Sequence, residues 1–232
     1  MRKLTINVKP PYDVIVGSGL LGGAGKLISR VMRGTKALIV SDSNTAPLYG
    51  KMIASSLKSE GLDVYMHIFE AGEKNKTVKT VWDMLEAAAS YGLTRSDAII
   101  ALGGGVTGDM AGFAAAVYLR GIDYIQIPTT VIAQSDSSVG GKTGCDLTYG
   151  KNLAGAFKQP RLVIIDSNTL NTLPQRYKSD GMAEVIKHGL IASPELFDII
   201  ESGSLDMDDV LYRNVDIKRS FVEADEFDTS ER

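Results

Sequence analysis

The sequence is poor in the residues that build disulfide frameworks, metal clusters and nucleophilic triads. Among 232 residues there are one cysteine, two histidines and one tryptophan. A lone Cys145 cannot close an internal disulfide, which fits a reducing compartment and leads us to expect a cytoplasmic protein. Two histidines and one cysteine are too few for a zinc site of the usual Cys/His composition. No G-x-S-x-G elbow is present and Cys145 has no evident base, so Ser- and Cys-based triads are unsupported. No apolar run approaches the ~18–20 residues that cross a bilayer, so no membrane association is expected. Met1, Arg2 and Lys3 are not followed by an apolar segment or cleavage site, so no secretory leader is expected. Short repeats and low-complexity linkers are also missing. The net charge of −3 gives no reason to expect nucleic acid.

What is there is ordinary globular material, 44% hydrophobic and 23% charged. The length suits one full domain plus part of another, or one large α/β unit. Charge is unevenly spread. Residues 195–232 carry 12 acidic and 4 basic side chains, leaving residues 1–194 net positive. A positive body suits a phosphate-bearing ligand, and the acidic segment reads as a solvated helix face.

Apolar runs and helical patterns alternate along most of the chain. Residues 4–8 and 12–16 read as strands around the turn at Pro10-Pro11, and 37–40, 64–69, 98–102, 124–127 and 162–165 as further strands. Helical periodicity covers 48–57 and 78–89. The unbroken apolar run 98–102 is the type buried on both faces of a parallel sheet. The expected fold class is therefore α/β, with a Rossmann-like parallel sheet over residues 1–172. After Asp166 only helices are expected, opened by Pro174 and Pro194 and continued over about 210–222. Residues 173–232 read as the beginning of an all-helical second domain that does not close a core of its own.

Two glycine-rich turns compete for a phosphate. Gly17-Ser18-Gly19-Leu20-Leu21-Gly22 matches G-x-G-x-x-G, and Asp42 follows about twenty residues on. Its strand is short and next to the N-terminus, so a mere helix-starting turn at a sheet edge fits equally well. Gly103-Gly104-Gly105-Val106-Thr107-Gly108-Asp109 follows the most buried-looking strand and leads into a helix rich in Ala and Gly. Three glycines let a backbone approach a pyrophosphate, and a helix N-terminus offers free N–H groups.

Further on, Thr129 and Thr130 end a strand at the edge where α/β proteins hold ligands. Asp136, Lys142, Lys151 and Asn152 then sit in glycine-framed loops. Lysine gives a point charge for phosphate and Asp accepts from hydroxyls, which suits an anionic polyhydroxylated substrate, although a solvated hairpin with Lys on its rim reads almost as well. Glu184, Lys187 and His188 fall at i, i+3 and i+4, on one helix face. That spacing fits a carboxylate–imidazole metal site or an ordinary surface salt bridge. His67, in an apolar strand, reads as structural.

Taken in order, residues 72–76, 103–109, 128–130, 136–144, 150–152 and Gly181-Met182-Ala183-Glu184-Val185-Ile186-Lys187 resemble the motifs of the 3-dehydroquinate synthase family, within the sugar-phosphate cyclases. The resemblance runs the length of the chain. It implies an NAD-binding α/β domain and a divalent metal, zinc or cobalt, held between that domain and a helical one. Position by position it implies that Asp42 and Asn44 hold the adenosine ribose and that Glu73 and Lys76 contact the nucleotide. Gly104, Gly105, Val106 and Asp109 would take the pyrophosphate and nicotinamide side, with Thr129, Thr130, Thr169 and Thr172. Asp136, Lys142, Lys151, Asn152 and Lys187 would face the substrate, the two lysines 142 and 151 also near the cofactor, with Arg120 near the phosphate. Glu184 would be a metal ligand and His188 would lie outside the ligand set.

The resemblance further implies a homodimer acting on a small sugar phosphate, 3-deoxy-D-arabino-heptulosonate 7-phosphate, in the shikimate route to aromatic amino acids. The expected sequence is oxidation by NAD, β-elimination of phosphate, reduction and aldol closure. Its other two metal ligands, both histidines, would begin soon after Arg232, so a longer protein or an inactive NAD-binding fragment is expected. A sister cyclase or an iron-type polyol dehydrogenase shares the same glycine loop and two-domain plan.

Overall fold

The computed structural model describes residues 1–203 and 206–229. Its main sheet has the order β1-β2-β9-β6-β5-β3-β4. The strands are β1 (Arg2–Ile6), β2 (Tyr12–Gly17), β3 (Lys36–Asp42), β4 (Asp63–Phe69), β5 (Ala98–Gly103), β6 (Asp123–Pro128) and β9 (Leu162–Asp166). All pairs are parallel except β1 with β2, which the Pro10-Pro11 turn folds back on itself. The intervening helices are α1 (Ala24–Ser29), α2 (Lys51–Lys58), α3 (Val78–Ser90) and α4 (Gly105–Val117).

Side chains alternate across each strand, and the cores follow that alternation. On one face Ile39, Ile100, Leu102, Ile125 and Ile164 pack against Ile28, Ile53 and Leu57 of α1 and α2. On the other, Leu38, Val40, Ile99 and Tyr124 pack against Met84 of α3 and Met110, Ala111 and Ala114 of α4. Central β5 is covered on both sides, which is why its sequence shows no polar alternation.

Of the two readings of the glycine-framed stretch, loops or a hairpin, the structure shows a two-stranded antiparallel hairpin, β7 (Lys142–Leu147) and β8 (Gly150–Phe157). It lies on α4, and Gly112 makes the approach feasible. A methyl group at Gly112 would stand 2.4 Å from Thr143 Cγ2 and 3.0 Å from the Tyr124 ring. Gly112→Ala is therefore expected to cost about 2 kcal/mol by overpacking. Thermal denaturation should show a midpoint roughly 4–8 °C lower.

The C-terminal helices are α5 (Gln175–Ala192), α6 (Pro194–Glu201) and α7 (Met207–Ala224). Ser193 caps α6, accepting from Leu196 N with Pro194 at the first helical position, and Asp206 caps α7. The three helices bury Val185, Leu196, Val210, Leu211 and Val215 against Val14, Val16, Val163 and Ile165, so they share one core with the sheet. The acidic segment is not wholly solvated. Asp209 pairs with Arg2 and Arg213, and Glu223 accepts from the Asn7 backbone and side chain at 2.8 and 2.9 Å. Among the described residues no helix is long and apolar enough to cross a membrane.

Candidate functional site

Parallel strands β2, β3, β5, β6 and β9 all end at one edge, at Gly17, Asp42, Gly103, Pro128 and Asp166. β3 and β5 are neighbours, but the chain leaves them in opposite directions, to β4 and to β6. A crevice opens outside the strand ends at such a reversal.

The structure separates the two glycine turns. At the 17–22 turn the Asp166 carboxylate accepts from Gly19 N at 2.8 Å and Leu21 N at 2.9 Å, and Asp166 is buried. Those N–H groups already hold an anion, so no phosphate can use them. β2 is also not the sheet edge, since β1 lies outside it. The turn after β5 is different. Gly104 caps α4 without a side chain, no acidic residue sits in its first turn, and the N-terminus opens into the crevice. Glycine is required at position 103, where a methyl group would stand 2.4 Å from Thr107 Oγ1 and 3.0 Å from Asp42 Oδ2.

Asp42 organises this corner. It accepts from the backbone of Asn44 and Thr45 and from the hydroxyls of Thr45 and Thr107, all at 2.9–3.1 Å. Val106 lies in the first turn of α4, half-buried. Thr129 N donates to Gly103 O at 2.9 Å, and Thr130 Oγ1 accepts from Ala133 N at 3.2 Å. Thr169 is buried, its hydroxyl donating to Asp166 O and accepting from Gln134. Thr172 lies 2.5 Å from the Tyr49 hydroxyl.

Beside the glycine loop lies a cleft of about 500 Å³, lined among others by Asp109, Asp136, Lys142, Asn152 and Lys218. Beneath it Lys76, with 6% of its side chain exposed, bonds Asp109 Oδ2 at 2.6 Å and Asn152 Oδ1 at 2.5 Å. Burial pushes the Asp109 carboxyl above its usual range, and the Lys76 ammonium pulls it partly back. Asn152 holds its place at the cleft with φ of 56°, a backbone that Asn tolerates better than most residues, its N–H on Asp146 at 2.7 Å. Lys151 reaches Glu73 at 3.0 Å, Lys142 reaches Asp228 at 2.6 Å, and Lys218 reaches Asp136 at 2.6 Å.

Arg120 stands apart. It follows α4, whose 13 residues carry the chain ~20 Å from the glycine loop toward the start of β6. Asp109, Asp136, Lys142 and Asn152 meet at the cleft, Lys76 supports two of them, and Arg120 does not join them.

On α5, Glu184 bonds Lys187, and His188 Nε2 lies 3.8 Å from Glu184 Oε1. Asp136 joins these two. Ligand atoms of Asp136, Glu184 and His188 lie within 4.8 Å of one another. Two carboxylates and an imidazole suit a borderline divalent cation such as zinc or cobalt. Burial lowers the His188 pKa, which favours the neutral, metal-binding ring. The same cause lowers the pKa of half-buried His67 on β4, remote from this cluster. Sequence reading missed Lys218 and Asn214. Both sit on α7, and only the docking of that helix on the 133–137 turn brings them here.

Comparison with known proteins agrees with this geometry. Residues 66–180 match the family model for the 3-dehydroquinate synthase N-terminal region, and residues 181–232 that for its C-terminal region. A 3-dehydroquinate synthase of Clostridium acetobutylicum is 46% identical over 227 residues, 95% of this chain and 64% of that protein. The chain thus spans about two thirds of the length of such relatives. Among solved structures, 2-epi-5-epi-valiolone synthase from Streptomyces hygroscopicus with NAD+ and Zn2+ bound superposes with a TM-score of 0.85 at 30% identity. It covers 94% of this chain and 63% of its own. A 2-deoxy-scyllo-inosose synthase complexed with carbaglucose-6-phosphate, NAD+ and Co2+ gives 0.87 at 29% identity, covering 98% and 65%.

Proposed function

The chain belongs to the 3-dehydroquinate synthase family, and on that premise we propose that it converts 3-deoxy-D-arabino-heptulosonate 7-phosphate to 3-dehydroquinate and inorganic phosphate. The observation that carries this reading is the meeting of three things in one crevice. An uncapped helix N-terminus, a cleft of Lys and Asp side chains, and a carboxylate–imidazole cluster share the same sheet edge.

The crevice fits NAD at the α4 N-terminus, where Gly104 and Gly105 leave the backbone N–H groups open to a pyrophosphate. Asp42, Asn44, Glu73 and Lys76 would flank the nucleotide, with Thr129, Thr130, Thr169 and Thr172 along its far side. Bound NAD supplies a reversible hydride acceptor, and a divalent metal on Glu184 supplies Lewis acidity toward the substrate oxygens.

The chain's own groups then do the positioning. Lys142 on the cleft rim meets the substrate phosphate as a point charge, Asp136 and Asn152 hold hydroxyls, and Lys151 and Lys187, paired here with Glu73 and Glu184, add positive charge. Once the neighbouring carbon carries a ketone, the adjacent proton is acidified and phosphate leaves. Oxidation and reduction cancel, so the cofactor is regenerated. Enclosure by the hairpin and α7 shields the reactive intermediates from water. The reading extends to a cytoplasmic homodimer working in aromatic amino-acid biosynthesis.

The test is inorganic phosphate release from the heptulosonate phosphate with zinc present, with and without a catalytic amount of NAD. Release that requires NAD yet accumulates no NADH is expected. Net NADH formation from a polyol, with no phosphate released, would instead identify a dehydrogenase.

A further inference from the structure

We propose that the protein carries a second anion site, separate from the crevice, in which Lys158 and Arg161 hold a phosphate dianion, free or as the phosphoryl group of a small metabolite. The site lies at the edge of the sheet where the parallel strands begin. It stands independently of the reaction proposed above.

A cavity of about 380 Å³ opens at that edge. Four cationic side chains line it, and they come from three different connections. Lys9 precedes β2, Arg33 precedes β3, and Lys158 and Arg161 lie between β8 and β9. The acids in its wall are Asp123, which opens β6, and Glu226, which follows α7. Both are engaged. Arg33 donates to Asp123 at 3.1 Å, and Gln159 Nε2 donates to Glu226 at 3.3 Å. Lys158 and Arg161 have no such partner. Among the described residues neither side chain makes a hydrogen bond or an ion pair.

The backbone holds these two cations on one short segment. Lys158 N–H donates to the Gly141 carbonyl and Arg161 N–H to the Tyr124 carbonyl, each at 2.7 Å. Arg161 Nε–H is buried and lacks an acceptor. A buried donor left unpaired bears its full desolvation cost, and a native fold keeps one where an ion or water completes it. Burial also lowers the Lys158 pKa, and Arg33 and Arg161 repel its charge against the pull of Asp123. Like charges gathered on a partly buried wall disfavour the fold until an anion neutralises them.

The donor set selects the anion. A carboxylate offers one charge on two oxygens. A phosphate offers nearly two charges near neutral pH and three strong acceptor oxygens, which suits a guanidinium fork beside an ammonium. Phe157, the last residue of β8, lines both this cavity and the cleft, and its register partner is Lys142. The two cavities therefore adjoin, and a test has to tell them apart.

Nitrogen-15 NMR of the arginine side chains does so, because Arg161 Nε–H reports on its own partner. Inorganic phosphate is titrated at constant ionic strength and about pH 7.5, where it is largely dianionic. The Arg161 Nε–H signal should shift and saturate together with the Lys158 and Gly121 amides. A methyl group at Gly121 would stand 3.9 Å from Lys158 Nζ, so that glycine reports on the ammonium. In Lys158→Met the affinity read at Arg161 should fall about 10- to 100-fold. Lys142→Ala, which removes a cation from the adjoining cleft, should leave the Arg161 curve unchanged. Glucose 6-phosphate in place of inorganic phosphate separates the two sources. Tighter binding at Arg161 marks a phosphomonoester as the ligand, and weaker binding marks free phosphate. An unshifted Arg161 signal, or a shift that sodium chloride reproduces, would overturn the proposal. So would a response at Arg161 that disappears in Lys142→Ala, since it would then originate in the cleft. The wild-type titration needs no variant, so the proposal stays testable even if Lys158→Met fails to fold.

Discussion

Replacing Lys76 with Met is expected to destabilise the protein by about 3–5 kcal/mol, the cost of stranding a buried charge. NAD affinity should fall by about 10- to 100-fold with it, the worth of one charge-assisted bond. Met keeps the stem and removes the ammonium, so the packing term is small. Asp109 then loses the Lys76 ammonium that pulls its carboxyl down, while burial and the nearby charges of Glu73 and Asp136 still push it up. Its folded pKa, already above the ordinary carboxylate value, rises further. A carboxyl raised in the folded state favours folding below its unfolded pKa, and that favour is lost as pH rises through the folded value. The gap in urea midpoint between variant and wild type should therefore widen from pH 5 to pH 8. Adding Asp109→Asn should recover much of the stability and none of the NAD affinity. An equal gap at both pH values would show that Lys76 does not compensate Asp109.

Parts of this architecture were legible because local physics dictated them. The apolar run of β5 demanded cover on both faces and has it. The polyglycine turn behind it demanded a close backbone approach, and Gly103 has room for nothing larger. The 17–22 turn satisfies the same pattern, yet the anion at its N–H groups is Asp166, almost 150 residues away. No reading of spacing alone can tell an internal carboxylate from a bound phosphate. The hairpin was legible only as an alternative to loops, because its strands carry three glycines and lack clean apolar–polar alternation, and they pack on the smooth face of α4. Glu184 and His188 were visible as a helical pair. Their third partner, Asp136, and the Asn214 amide that bonds the ring come from separate elements joined only by tertiary packing.

Lys142→Ala should lower phosphate release by roughly 10²- to 10³-fold, the usual loss when one group stabilising developing anionic charge is removed. The same change should leave the NAD dissociation constant within a few-fold and stability within about 1 kcal/mol. The stability limit follows from exposure. The Lys142 side chain is 55% exposed, and its pair with Asp228 is a surface ion pair worth little against solvent. The cofactor limit follows from placement. Lys142 opens β7 on the rim of the cleft, whereas the open N–H groups for a pyrophosphate lie at the start of α4. Folding, cofactor binding and turnover are thus expected to rest on different groups here, in contrast to Lys76, whose replacement is expected to lower both stability and cofactor affinity. Calorimetric NAD titration beside a phosphate assay separates them. If NAD affinity collapsed together with turnover in a well-folded Lys142→Ala, the hairpin would be shaping the nucleotide site as well. The division between the glycine loop and the lysine rim would then have to be given up.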